Sequence, residues 1–179
     1  MAPVLPLIAV DGLILAFTST CLSRLIPSTG DKHTDSLHTG ICIIVFGIGT
    51  IAGGYLSGYL SDKLKIKNAG ILALLVYILC CLGTFVTINF ISLEGGIIIG
   101  FCWGVEKYFI EGWLYITCAH YYLGKLESFA ILKQFHSLSF VIFQIILIIN
   151  QNINLNITMG IFLFFAIPCF YGLKHLKII

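Results

Sequence analysis

Apolar residues run along this chain in six long blocks separated by short polar stretches, without the strict alternation of a half-buried strand. The blocks fall at about 4–23, 37–60, 69–90, 95–122, 128–149 and 157–173. Between them lie SRLIPSTGDKHTDS, the basic turn SDKLKIKN, then ISLEGG, YLGKLES and the amide-rich NQNINLN. Crossing a ~30 Å hydrocarbon core takes about 20 helical residues at ~1.5 Å each. In that medium the backbone must satisfy its own polar groups, which leaves helices or a closed barrel, and long non-alternating runs decide for helices. The pattern predicts an all-α polytopic membrane helix bundle, six transmembrane helices forming one domain over 1–179. The opening MAPVLPLIAVDGLILAF has no basic leader and contains Asp11, so it reads as a first membrane helix rather than a cleaved signal peptide.

Composition narrows the medium and the partners. Of 179 residues, 59% are hydrophobic and 10% charged, with a mean hydropathy of +1.03. Soluble domains carry about 25% charged residues, so the expected surroundings are a lipid bilayer. A net charge of +2 is too weak to suggest nucleic acid. The seven cysteines (Cys21, Cys42, Cys80, Cys81, Cys102, Cys118, Cys169) are scattered within apolar runs and lack metal-ligand spacing. They read as small packing residues, and neither a metal nor another cofactor nor an enzymatic activity is expected.

The basic residues set an expected orientation. Lys63, Lys65, Lys67, Lys125, Lys174 and Lys177 fall in the second-to-third and fourth-to-fifth loops and the C-terminal tail, against Arg24 and Lys32 on the opposite side. That excess predicts both termini in the cytoplasm. The sequon Asn156-Ile157-Thr158 then lies outside, against a helix end and close to the membrane.

Charges within the apolar blocks are costly and mark a pathway, a pair or an internal interface. The third and sixth blocks have none, whereas the first carries Asp11, the fourth Glu106, Lys107, Glu111 and His120, and the fifth Lys133 and His136. Trp103, Lys107, Glu111 and Tyr115 recur every fourth residue and share a helix face, where Lys107 and Glu111 can pair. Glu106, about 100° away, has no local partner. Lys133, Ser137 and Gln144 fall within about 40° of one another, with His136 at the edge of that stripe. Counting helical rise from the cytoplasmic boundary puts Lys133 ~8 Å deep, Asp11 ~10 Å, His136 ~12 Å and Glu111 ~15 Å. A central polar face of Asp11, Glu106, Lys107, Glu111, Lys133, His136 and Gln144 is therefore expected, lining a vestibule or meeting another subunit.

The second block reads GIGTIAGGYLSGYLSDKLKIKNAG. Gly49-x-x-x-Gly53 and Gly54-x-x-x-Gly58 let a neighbouring helix approach closely. Beyond them, Gly58, Leu60, Asp62, Lys63 and Lys67 resemble the signature loop of the major facilitator superfamily, Gly-x-Leu-x-Asp-(Arg/Lys)-x-x-x-(Arg/Lys). That resemblance implies one facilitator half, a 3+3 inverted repeat of six helices, with those five residues as a cytoplasmic latch. The run Ser128-Phe129-Ala130-Ile131-Leu132-Lys133-Gln134-Phe135-His136-Ser137-Leu138 is similar to the element Ala-Phe-Ala-x-(Phe/Tyr)-(Lys/Arg)-x-Trp-Gln-Ser-Leu-Gly of the UNC-ninety-three-like, ion-channel-regulatory branch. In that branch it opens the penultimate helices of the C-terminal half.

A facilitator needs two halves around one path, so the resemblance implies a second six-helix half or another membrane-protein partner. It implies a regulatory or trafficking role toward a channel or receptor. Two other functions remain open on the residues. One is a secondary transporter half in which Asp11, Glu106 or Glu111 carries protons and Lys107 or Lys133 meets an anionic substrate. The other is a structural subunit of a larger membrane complex.

Overall fold

The computed structural model describes residues 2–121, 125–149 and 155–176; Tyr122, residues 150–154 and Lys177 lie outside that set. The described residues form six α-helices and no strand: α1 Leu5–Cys21, α2 Lys32–Lys63, α3 Ile66–Asn89, α4 Leu93–Tyr121, α5 Leu126–Ile149 and α6 Leu155–His175. Single turns of 3₁₀ helix flank α1, at Ala2–Val4 and Leu22–Leu25. Five helices are long and apolar enough to cross a membrane. The exception to the six expected spans is α4. At 29 residues it is long enough, but Glu106, Lys107 and Glu111 crowd its middle. It packs against α2, α3 and α1.

Local chemistry sets the helix ends. Pro6 stands in the first turn of α1, where its missing N–H costs nothing. Helix α2 begins at Lys32, five residues before the apolar block, because Asp31 caps it and accepts from the His33 and Thr34 amides at 3.3 and 3.2 Å. Asp35, one turn in, accepts from the Ser28 hydroxyl and from the Thr29 amide and hydroxyl, each at 2.7 Å. These bonds fold the loop onto the helix, and Gly30 turns it with φ of 79°. The Thr34 hydroxyl and the two amides hold the Asp31 carboxyl below the usual carboxylate range. A depressed folded value stabilises the cap above the unfolded value of about 3.9, and the contribution is lost as pH falls through the folded value. The protection of the His33 and Thr34 amides, taken relative to their intrinsic exchange rates, is therefore expected to fall on acidification below about pH 4. In Asp31→Asn that pH dependence should vanish.

The bundle is organised by pairs. Helix α2 lies along α4, α1 along α5, and α3 against both α4 and α6, while α1 also meets α4 and α6. Without a hydrophobic drive between helices in lipid, close packing of small residues does the work. Gly49 and Gly53 of α2 sit on the backbone of Phe101 and Val105, and Gly104 of α4 sits on the Phe46 carbonyl. The second small pair expected from sequence, Gly54 and Gly58, has open space before it instead, because it lies on the outward side of α2. This contrast is testable. A side chain at Gly53 would strike main-chain atoms of Val105 that cannot swing away. Gly53→Val should cost about 1–3 kcal/mol or more by overpacking. Gly54→Ala, meeting nothing, should be neutral or stabilising by up to about 1 kcal/mol. Thermal unfolding in detergent would separate the two.

The core is aromatic at its centre. Trp103 is fully buried, its ring centroid 5.4 Å from Phe17 of α1, 6.1 Å from Tyr77 of α3 and 6.2 Å from Phe162 of α6. Its Nε1 donates to the Thr84 hydroxyl at 2.8 Å, and the Tyr77 hydroxyl donates to the Phe162 carbonyl at 2.9 Å. Each buried polar tip thus has a partner, as an apolar medium requires. All seven cysteines are free thiols; six are buried and Cys102 is half-buried.

Candidate functional site

Where α1, α4 and α5 meet, the structure joins charges that are far apart in sequence. The close approach that brings them there depends on Gly12, which rests against the His136 carbonyl and the Ser139 Cβ of α5. Lys107 Nζ donates to Asp11 Oδ1 at 2.7 Å and to Glu111 Oε2 at 2.8 Å. Lys133 Nζ donates to Glu111 Oε1 at 2.7 Å, and the Tyr115 hydroxyl reaches the same oxygen at 3.1 Å. The result is a chain of alternating sign, Asp11–Lys107–Glu111–Lys133, with no net charge.

Its burial is graded. The side chains of Asp11 and Lys107 are 1% and 3% exposed, Glu111 is 13% exposed, and Lys133 is 51% exposed. The chain therefore runs from the sealed core to the rim of the bundle. Taking these ions from water costs several kcal/mol each, repaid only by good geometry and full hydrogen bonding. Lys107 meets that condition, and the two lysines satisfy both oxygens of Glu111. The second oxygen of Asp11 does not. It lies 3.3 Å from His136 Nε2, yet neither atom makes a hydrogen bond among the described residues. One added proton on either group would convert two orphaned atoms into a charge-assisted bond.

Glu106 stands apart. It is fully buried, and neither carboxyl oxygen has a hydrogen-bond partner among the described residues.

The expected central face is thus mostly an interior. Asp11, Lys107, Glu111, Lys133 and His136 come together, but the first two face inward against other helices of the same chain rather than outward toward another subunit. Gln144 does not join them. Eleven residues beyond Lys133, or about 16 Å along the helix, its Oε1 accepts from Ser19 and Thr20 of α1 at 3.1 and 3.0 Å. Trp103 shares the Lys107 face by spacing but points into the aromatic core. Thr84, Ser19 and Thr20 carried no sequence signal, since hydroxyls in an apolar run look alike until a neighbour is known.

At the α2–α3 turn, the latch residues are only partly engaged. The Leu60 carbonyl caps α2 by accepting from Leu64 N at 2.7 Å. Lys63 lies over the Tyr59 ring at 4.5 Å, and Lys67 Nζ donates to the Lys174 carbonyl at 3.3 Å, tying the turn to the end of α6. Gly58 faces open space. Asp62 is exposed on the last turn of α2 and makes no hydrogen bond to the described residues.

No protein-family model matches this chain, and no curated protein or solved structure matches it either.

Proposed function

We propose that this chain is a six-helix facilitator-type half of the UNC-ninety-three-like kind, with a regulatory or trafficking role toward another membrane protein rather than a carrier's role. The observation that carries this reading is the ion chain, sealed at Asp11 and Lys107 and closed at 2.7–2.8 Å within one chain. A carrier keeps its charges where a solute can reach them. Here they are spent on holding α1, α4 and α5 together.

The packing supports the inverted-repeat part of the proposal. Mapping α1, α2 and α3 onto α4, α5 and α6 exchanges the α2–α4 pair with α5–α1 and the α3–α4 pair with α6–α1. It returns α1–α4 and α3–α6 to themselves, and all these contacts are present. Both exchanged close pairs use a glycine of the inner helix against a carbonyl of the outer one, Gly104 on Phe46 and Gly12 on His136. The α2–α3 and α4–α5 contacts are the exceptions, each more extensive than its α5–α6 or α1–α2 counterpart. In this reading α4 is the sixth span, its charges paid for internally. Pro3 lies against Gly172, and Lys67 against Lys174, so the chain's start, the α2–α3 turn and the end of α6 share one face of the bundle. The lysines there support reading it as the cytoplasmic face.

A half needs a counterpart. Purified in mild detergent, the chain should run as an assembly with a second six-helix half or a second copy. A monomer bearing no other chain would overturn the paired-half reading.

One observation favours a transporter instead: Glu106, buried without a donor, is suited to hold a proton as the neutral acid. Proton-coupled uptake into liposomes that is lost in Glu106→Gln would establish that role. Uptake that persists in this variant would remove Glu106 from it.

A further inference from the structure

Two apolar grooves run down α6, one on each side of the ridge formed by Ile167 and Tyr171. The first, about 430 Å³, lies between α3 and α6 with Ile71, Leu75 and Ile78 on one wall and Ala166 on the other. The second, about 520 Å³, lies between α6 and the start of the chain at Pro3 and Pro6, with Phe164 on the α6 side. Ile167 and Tyr171 line both.

Both grooves end at basic residues. Lys67 sits one helical turn before Ile71, hence directly above the first groove, and Lys174 sits three residues beyond Tyr171 on the same face of α6. The bond from Lys67 Nζ to the Lys174 carbonyl at 3.3 Å brings these two positions together across the mouth. His175 lines the second groove and lies 4.7 Å from the Tyr171 ring. Helix α3 starts at Ile66, so its positive N-terminal end adds to the same rim. Lys63 and Lys65 stand in the adjoining turn, where Asp62 is the one acid.

An apolar cleft in a bilayer is filled by acyl chains, and a basic rim at the level of the headgroups selects among them by charge. We propose that α6 carries a binding site for one anionic phospholipid, its two chains straddling the Ile167–Tyr171 ridge and its phosphate held by Lys67 and Lys174. The two grooves flank one ridge and open at one rim, which suits a diacyl lipid better than a single-chain amphiphile. The site is independent of the function proposed above and requires only that α3 and α6 face lipid.

The test is native mass spectrometry of the full chain released from mild detergent after equilibration with phosphatidylglycerol or phosphatidylcholine of matched chains. The expected result is retention of one phosphatidylglycerol per chain, with about a thirtyfold preference over phosphatidylcholine from the two lysines. Lys67→Gln with Lys174→Gln should bring the two lipids to parity while leaving phosphatidylcholine retention unchanged. Leu75→Trp, which fills the first groove from an exposed position, should lower retention of both. Lys174→Gln alone, also at an exposed position, should weaken the preference and serves if the double variant misfolds. Equal retention of the two lipids by the unaltered chain, or an unchanged preference in the lysine variants, would overturn the proposal. Displacement of phosphatidylglycerol by inorganic phosphate at matched ionic strength would overturn the role of the grooves.

Discussion

Replacing Lys107 with methionine is expected to destabilise the protein by about 3–5 kcal/mol, the cost of breaking a buried ion pair from one side. Lys107 is the only cation touching Asp11 Oδ1 among the described residues, and it also holds Glu111 Oε2. Its loss leaves a carboxylate stranded in the buried junction between α1 and α4. The same change at Lys133 should cost no more than about 1 kcal/mol, because that ammonium is half exposed and solvent can replace it. Unfolding in mixed micelles with a rising fraction of denaturing detergent would rank the two. Equal losses would mean that burial does not grade the chain as described.

Trp103→Ala should be comparably damaging, at about 3–5 kcal/mol for a large aromatic removed from a packed core. The indole is the one side chain on which rings from α1, α3 and α6 converge, through Phe17, Tyr77 and Phe162. Truncation would open a void at the centre and orphan the Thr84 hydroxyl as an acceptor. Trp103→Phe separates these effects. It keeps an aromatic ring and should lose about 0.5–1.5 kcal/mol for the hydrogen bond, plus a smaller packing loss. Thermal unfolding of the three proteins in one detergent reads the order directly.

Much of this architecture is legible in the sequence. Unbroken apolar runs locate all six helices, because a backbone in lipid has few other ways to satisfy itself. The boundaries drift where polar residues extend a helix, as at Asp31 and Asp35, since a cap is not apolar and adds no hydropathy. The Lys107–Glu111 pair is readable because four residues make one helical turn. The contacts of Asp11 with Lys107 and of Lys133 with Glu111 are not, being 96 and 22 residues apart and fixed only by how three helices pack. Gln144 shows the limit of periodicity, which gives the face of a residue but not its partner at that depth. Glycine is similarly ambiguous. Gly53 and Gly54 are neighbours in sequence, yet one is pressed against α4 and the other opens outward.

The closed ion chain is the claim on which the rest depends, and a double-mutant cycle between Asp11 and Lys107 measures it most directly. Asp11→Asn, Lys107→Met and the double variant would be unfolded under identical conditions. A coupling energy of about 2–3 kcal/mol is expected, with the double variant far more stable than the sum of the two losses implies. Additivity within about 0.5 kcal/mol would contradict it, because the two groups would then not share a bond.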